Sequence, residues 1–189
     1  DVTGSLLKIE ADKTMLVTDG VSTVDTDATK GILIENNGSL VQVTEVDNAS
    51  ANNNSGFIKM ARNSQAMLPS AYTYWSSPVD TQTPATFSPL TVVSNNNFLF
   101  WNQDQTPQGW NAAPQTTAMT AGKGYIIKTP PVSDIINGAV FYGVFTGKPN
   151  NGIVSIPTFG STSVSAADYK WNLIGNPYPS AISASEFVT

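Results

Sequence analysis

Apolar residues in the first quarter of this chain come in short runs, and the gaps between them are too polar and too brief to hold a helix. The runs are Leu6-Leu7-Lys8-Ile9, Met15-Leu16-Val17, Ile32-Leu33-Ile34 and Leu40-Val41-Gln42-Val43, separated by corners rich in Asp, Asn, Thr and Gly. Runs of this length bounded by turn formers read as strands, because a helix needs a longer apolar period to bury one face. Their close, irregular spacing predicts either stacked rungs of a partial β-solenoid or a small meander. Gly4-Ser5-Leu6-Leu7 is echoed by Gly38-Ser39-Leu40-Val41, too short an echo to establish a repeat, and ordinary sandwich strands joined by turns account for the pattern equally well.

The remainder continues in the same style. Residues 47–56 are the most polar stretch and read as an exposed loop, a natural boundary between an N-terminal stack (1–56) and a second, longer part (57–189). Residues 57–62 resume as a strand. Tyr72 and Tyr74 are two apart and share one face of a strand, so Trp75 points the other way. That suits a two-layer sandwich with a buried Trp and an outer tyrosine pair. Residues 83–97 read as a long connection, 98–101 as a strand, and 102–109 as a turn leading to Trp110. Strands are expected over 119–128 and 139–147. Asn151-Gly152 then predicts a type I′ hairpin with a return strand over 153–156. Residues 171–174 read as a final strand, and 181–188 as the start of a short helix capped by Ser183 or Ser185, with Glu186 near its positive end. The fold class is all-β: a short solenoid-like stack or meander followed by an antiparallel β-sandwich.

Composition narrows the chemistry. Only 12% of residues are charged, about half the usual fraction, so solubility rests on Asn, Thr, Ser and Gln. That balance is common in extracellular β-proteins. The net charge of -5 is the opposite of a nucleic-acid footprint. Cysteine and histidine are both absent, which excludes disulfides, thiolate sites, Ser-His-Asp triads and histidine-bound zinc within the chain. No apolar run approaches the roughly 20 residues of a membrane-spanning helix. No signal peptide is visible and Asp1 is not a start methionine, so the N-terminus is expected to be processed or trimmed.

The candidate sites are few. Gly122-Lys123-Gly124 lacks the upstream glycine and the following Ser or Thr of a phosphate-binding loop, so it reads as backbone geometry where a strand begins. Asp19, Asp25, Asp27 and Asp47 offer oxygen ligands, and calcium is the metal such turns suit, but they follow neither EF-hand nor RTX spacing. Solvated turns are the better reading, and no cofactor is implied. Glu10, Glu35, Glu45 and Glu186 are scattered, and nothing brings two together as glycoside hydrolysis requires; no catalytic residue is expected, and the chain is not read as an enzyme. Trp101, Trp110 and Tyr178 sit near turns rich in Asn, Asp and Gln, a composition able to stack and hydrogen-bond sugar rings, although aromatics also dominate β-sandwich cores. In Gly175-Asn176-Pro177-Tyr178-Pro179 each proline holds its predecessor extended, so this stretch reads first as architecture.

Four ordered motifs carry a resemblance: Tyr72-Thr-Tyr-Trp-Ser-Ser-Pro78, Gly122-Lys-Gly-Tyr-Ile-Ile127, Phe145-Thr-Gly-Lys-Pro-Asn-Asn-Gly152 and Trp171-Asn-Leu-Ile-Gly-Asn-Pro-Tyr-Pro-Ser-Ala-Ile182. Together they resemble a module repeated in secreted surface proteins of flavobacteria and related Bacteroidota, proteins similar to substrates of the type IX secretion system. The resemblance runs from about Tyr72 to the last residue. It implies an extracellular location on the outer surface of a Gram-negative bacterium and contact with the secretion machinery during export. It further implies a non-catalytic structural or adhesive role towards a polysaccharide or another surface protein. Two alternatives stand beside it: a carbohydrate-binding module of a larger secreted enzyme, and a subunit of a surface assembly completed by strand donation. Modules of this kind continue past the position of Thr189, so the chain is expected to be a fragment or processed piece. The resemblance assigns no catalytic residue.

Overall fold

Strands 25 residues apart pair with one another. In the computed structural model, which describes residues 6–24, 31–43, 53–94, 96–104, 107–131, 136–160 and 171–187, β1 (Leu6–Ile9) turns into β2 (Thr14–Val17), and β3 (Gly31–Ile34) turns into β4 (Ser39–Gln42). Leu6 faces Gly31 and Thr14 faces Ser39, a spacing of 25 residues in both parallel pairs. The corners repeat with the strands. Lys13 donates its backbone N–H to Glu10 and Gly38 donates to Glu35, and each turn contains a non-glycine residue at positive φ, Asp12 in one and Asn37 in the other. Asp and Asn tolerate that left-handed region better than other side-chain-bearing residues. The solenoid alternative is therefore the one realised. The repeat joins β1 to β3 and β2 to β4, not β1 to β4 as the Gly-Ser-Leu echo suggests.

The third rung does not turn. β5 (Ile58–Met67) lies parallel to β3, with Ile34 opposite Met60. It then runs straight on where the earlier rungs bend, and pairs antiparallel with β10 (Ala139–Gly147). Arg62 closes the abandoned corner: its guanidinium donates to the Glu35 carbonyl at 3.1 Å and the Gly38 carbonyl at 2.6 Å. Burial pushes the Arg62 pKa down from its ordinary value, yet a guanidinium keeps its proton in proteins. Across this four-stranded sheet, Ile9, Ile34, Met60 and Phe145 stand in one row, and all four are buried. Both the sheet and the core thus run across the boundary expected at residues 56/57.

The second layer is antiparallel. β6 (Tyr72–Trp75), β9 (Tyr125–Lys128), β7 (Phe98–Asn102) and β8 (Gly109–Ala112) lie in that order. Trp75, Tyr125 and Phe100 occupy one row of its inner face. Trp75 meets Phe141 and Phe145 of β10 edge-on, with ring centroids 5.7 and 6.2 Å apart. Phe87 completes this cluster by stacking on Phe145 at 4.2 Å. It comes from α1 (Pro84–Phe87), a single helical turn inside a stretch that reads in the sequence as a connection alone. The turn forms because Thr83 and Thr86 make a reciprocal capping box and Pro84 occupies the first turn. α2 (Ala184–Phe187) forms where a short helix was expected, with the Glu186 N–H directed to the Ser183 hydroxyl.

Four expectations need correction. Residues 153–156 form no return strand, because both edges of the end of β10 are already used. One edge pairs with β5, while Val79 bridges Pro149, and Asp80 exchanges bonds with Lys148 through backbone and carboxylate. Residues 171–174 contribute only one bridge, Ile174 with Lys123, and the strand expected over 119–128 is confined to β9. Asn54, assigned by sequence to an exposed loop, is buried. Its side-chain carbonyl accepts from the Val21 N–H at 2.7 Å, and its amide donates to Gln42 and to the Pro149 carbonyl. Residues 44–52 lie outside the described residues.

Candidate functional site

The four late motifs converge on one junction. Leu173 lies against Gly124: a Cβ on that glycine would stand 2.5 Å from the Leu173 Cγ. Gly175 lies against Ser76 in the same way, with 2.3 Å between a would-be Cβ and the Ser76 Cβ. The backbones are tied as well, since Gly124 donates to Leu173 and Gly175 donates to Gly122. Asn150 reads two other motifs at once. Its backbone N–H donates to Pro78, and its buried side-chain amide donates to the carbonyls of Ser77 at 3.3 Å and Pro177 at 2.9 Å. The Pro179 carbonyl accepts the Leu40 N–H, which binds the junction to the solenoid edge at β4. These residues satisfy buried backbone groups that would otherwise be orphaned, an architectural role.

Tyr178 belongs to this junction. Its hydroxyl donates to the Gly152 carbonyl at 2.7 Å, and its ring lines two hollows of about 380 and 790 Å³. The larger hollow runs beside Leu40, Val41 and Gln42 of β4 and is walled by Ile153, Ile174 and Ile182. Trp101 and Trp110, expected as its companions, stand elsewhere. They face each other across β7 and β8, edge to face with centroids 5.3 Å apart, on the outer face of the antiparallel sheet. Tyr74 shares that face on β6, and Tyr72 with it. The expected burial of Trp75 and exposure of the tyrosine pair are both seen, with Tyr74 67% exposed.

A third tryptophan joins the pair. The Trp101 indole N–H donates to the Trp171 carbonyl at 3.0 Å. The Gln108 side chain grips the same residue twice, accepting from the Trp171 N–H at 2.8 Å and donating to its carbonyl at 3.3 Å. Trp171 is thus held by its backbone while its residue surface remains 69% exposed; Trp110 is 41% exposed. Sequence reasoning placed Trp171 in a strand and missed it as a surface residue. No local pattern marked it, since Trp171-Asn172-Leu173 alternates as a strand would and the contacts that set its place come from Gln108 and Trp101, 63 and 70 residues away.

The remaining candidates are dispersed. Lys123 lies with its Nζ 3.5 Å from the Phe100 ring centroid, and burial pushes its pKa down from the ordinary 10.5. That is a packed cation on a ring, in keeping with a structural Gly-Lys-Gly. Glu35 pairs with Lys8 at 2.7 Å; the Lys8 hydrogen bond holds its carboxyl below the ordinary 4.5, and the same contact raises Lys8. Asp19 accepts the Gly20 N–H as a turn residue would, while Asp25, Asp27, Asp47 and Glu45 lie outside the described residues. Among the described residues no group of three His, Cys, Asp or Glu is placed to hold a metal, and no helix is long and apolar enough to cross a membrane.

No curated protein and no solved structure matches the chain. One family model does, over residues 2–189, and this all-β protein with its solenoid-to-sandwich core belongs to the family described as a domain of unknown function, DUF8693.

Proposed function

We propose that this protein is a non-catalytic structural and adhesive module of a bacterial cell-surface protein, exported by the type IX secretion system. The observation that carries the reading is the single buried row Ile9, Ile34, Met60 and Phe145, which joins parallel rungs to a sandwich layer without a break. A core shared in this way resists relative movement of its two parts, which is what a load-carrying surface module needs. Two sequence features support the same reading: the low charge, and the four motifs resembling secreted flavobacterial modules. The motif junction fits it too, because those residues hold backbone together and present no reacting groups.

Strand donation is the second reading. The hollow beside β4 favours it, since a strand edge borders open apolar space there. Pro179 already occupies the Leu40 N–H, which weighs against it.

The test is export. An epitope-tagged parent protein is expected to be protease-accessible on intact source cells and to be retained in the periplasm when the type IX translocon is deleted. Surface display without the translocon, or cytoplasmic retention in its presence, overturns the export reading. For the adhesive half, the purified module coupled to beads is expected to attach to cells or matrix of its community. Failure to attach leaves only the structural role.

A further inference from the structure

We infer that Trp101, Trp110 and Trp171 form a stacking site for an uncharged polysaccharide. The inference rests on the adhesive reading above and names its ligand class.

Three observations carry it. First, the exposed tryptophans are anchored. Trp101 supports Trp110 edge-on and donates its N–H to the Trp171 carbonyl, and Gln108 fixes Trp171 from both backbone sides. The edge-on contact orders the Trp110 ring, and the fixed Trp171 backbone leaves only two side-chain torsions to be ordered there when a ligand lands, which lowers the entropy cost of binding. Secondly, Trp101 and Trp110 belong to the open face of a sheet and not to a closed pocket, and Trp171 adjoins them through its carbonyl. Such a face admits a chain lying across it, and the step from β6 to β8 is about 15 Å at normal strand spacing, room for a short run of sugar rings. Thirdly, the two strands that carry Trp101 and Trp110 are almost uncharged, the cations beyond them being Lys128, opposite Tyr72 on the same face, and Lys170, which precedes Trp171 in sequence. Residues 98–112 contain one charged side chain, Asp104, and the polar side chains flanking the tryptophans include Asn102, Gln103 and Gln108. Indole faces attract the C–H side of a pyranose, and that stacking carries the site, since the Gln108 amide is committed to Trp171, the Gln103 amide donates to Pro157 and the Asn102 side-chain carbonyl accepts from Asp104. A sulfated or uronic-acid polymer would find no cation among these residues, and a nucleic acid would find none of the phosphate contacts it needs.

Native electrophoresis of the purified chain through gels containing hydroxyethylcellulose, galactomannan or laminarin, with alginate and heparin as charged controls, tests this. Retardation by at least one neutral polymer and by neither charged one is expected. Trp171→Ala and Trp110→Ala should each weaken retention at least tenfold, and the double variant should abolish it. Tyr142→Ala, an exposed aromatic on the outer face of β10, should leave it unchanged. Melting curves check that each variant is folded; if Trp110→Ala is not, Trp171→Ala and the retained binding of Trp171→Phe carry the test. Free migration through all three neutral polymers, retention by the charged polymers, or wild-type retention of the double variant overturns the inference. If beads carrying the double variant still attach to cells, the adhesive reading stands and only the site is wrong.

Discussion

The two faces of the antiparallel sheet use the same residue types for opposite ends. On the inner face Trp75 is packed against Phe87, Phe141 and Phe145, ring on ring, within the core that the solenoid and sandwich share. On the outer face Trp101 meets Trp110 edge to face and donates to the Trp171 carbonyl, and Trp110 and Trp171 remain exposed. The difference teaches that an aromatic residue's role here is set by what lies beyond it. The inner rings gain from removal of apolar surface from water, and their loss leaves a cavity. Trp171, the most exposed of the three, gains least from folding, so the grip of Gln108 on its backbone holds a ring that contributes little to the core.

Substitutions can break or sharpen this contrast. Phe145→Ala strikes the inner face at the row joining both layers, and should cost about 3–5 kcal/mol in urea unfolding; a loss under about 1 kcal/mol would mean the two layers are not mutually supporting. Asn150→Ala removes the amide that serves the Ser77 and Pro177 carbonyls and leaves both buried, with an expected loss of about 2 kcal/mol. Trp110→Ala loses a ring pair and partial burial, about 1 kcal/mol. Trp171→Ala should change stability by less than about 0.5 kcal/mol, and a larger loss would make that ring structural after all.

The smallest effect is the one set by pH. Glu35 titrates below its unfolded value because Lys8 bonds the carboxylate. In the interval between the two pKa values the unfolded chain binds more protons, so stability rises with pH there. The contribution is fully present above about 4.5 and fades as pH falls through the depressed value. Both partners are solvent-accessible, which keeps the pair weak. Melting temperatures of wild type and Glu35→Gln should therefore converge as the pH is lowered below 4.5, and a gap that persists at low pH would assign the difference to something other than this ion pair.

Local chemistry was legible and most long-range pairing was not. The four N-terminal strands, the opposed faces of Tyr74 and Trp75, and the last helical turn follow from alternation and capping, which depend on neighbours in sequence. The 25-residue stacking was legible in the apolar pairs Leu7 with Ile32, Ile9 with Ile34 and Met15 with Leu40, but Lys8 opposite Leu33 broke the match and the Gly-Ser-Leu echo from Gly4 to Gly38 pointed to a different spacing. Asn151-Gly152 misled because a turn signal says nothing about whether the preceding strand still has a free edge. The Thr83-Pro84 signature of α1 was readable as a cap and first turn, but its surroundings of Pro, Thr and Asn concealed it. At the candidate site, Trp101 and Trp110 were identified from composition. Tyr178 was drawn to the junction by a hydrogen bond to Gly152, and Trp171 took its place through a contact spanning 70 residues.

The double duty of β5 has a consequence for the order in which the chain can assemble. Its parallel pairing with β3 uses residues that precede it by 26 positions, whereas its antiparallel partner β10 begins at Ala139. As the polypeptide emerges from its N-terminus, the rungs can zip together early through comparatively local contacts. The far edge of β5 must then wait, unpaired, until the second layer's strands have been made. For that interval the growing chain carries an edge of unpaired N–H and C=O groups beside the uncovered side chains of Ile58 and Met60, and whatever escorts it has both to shield.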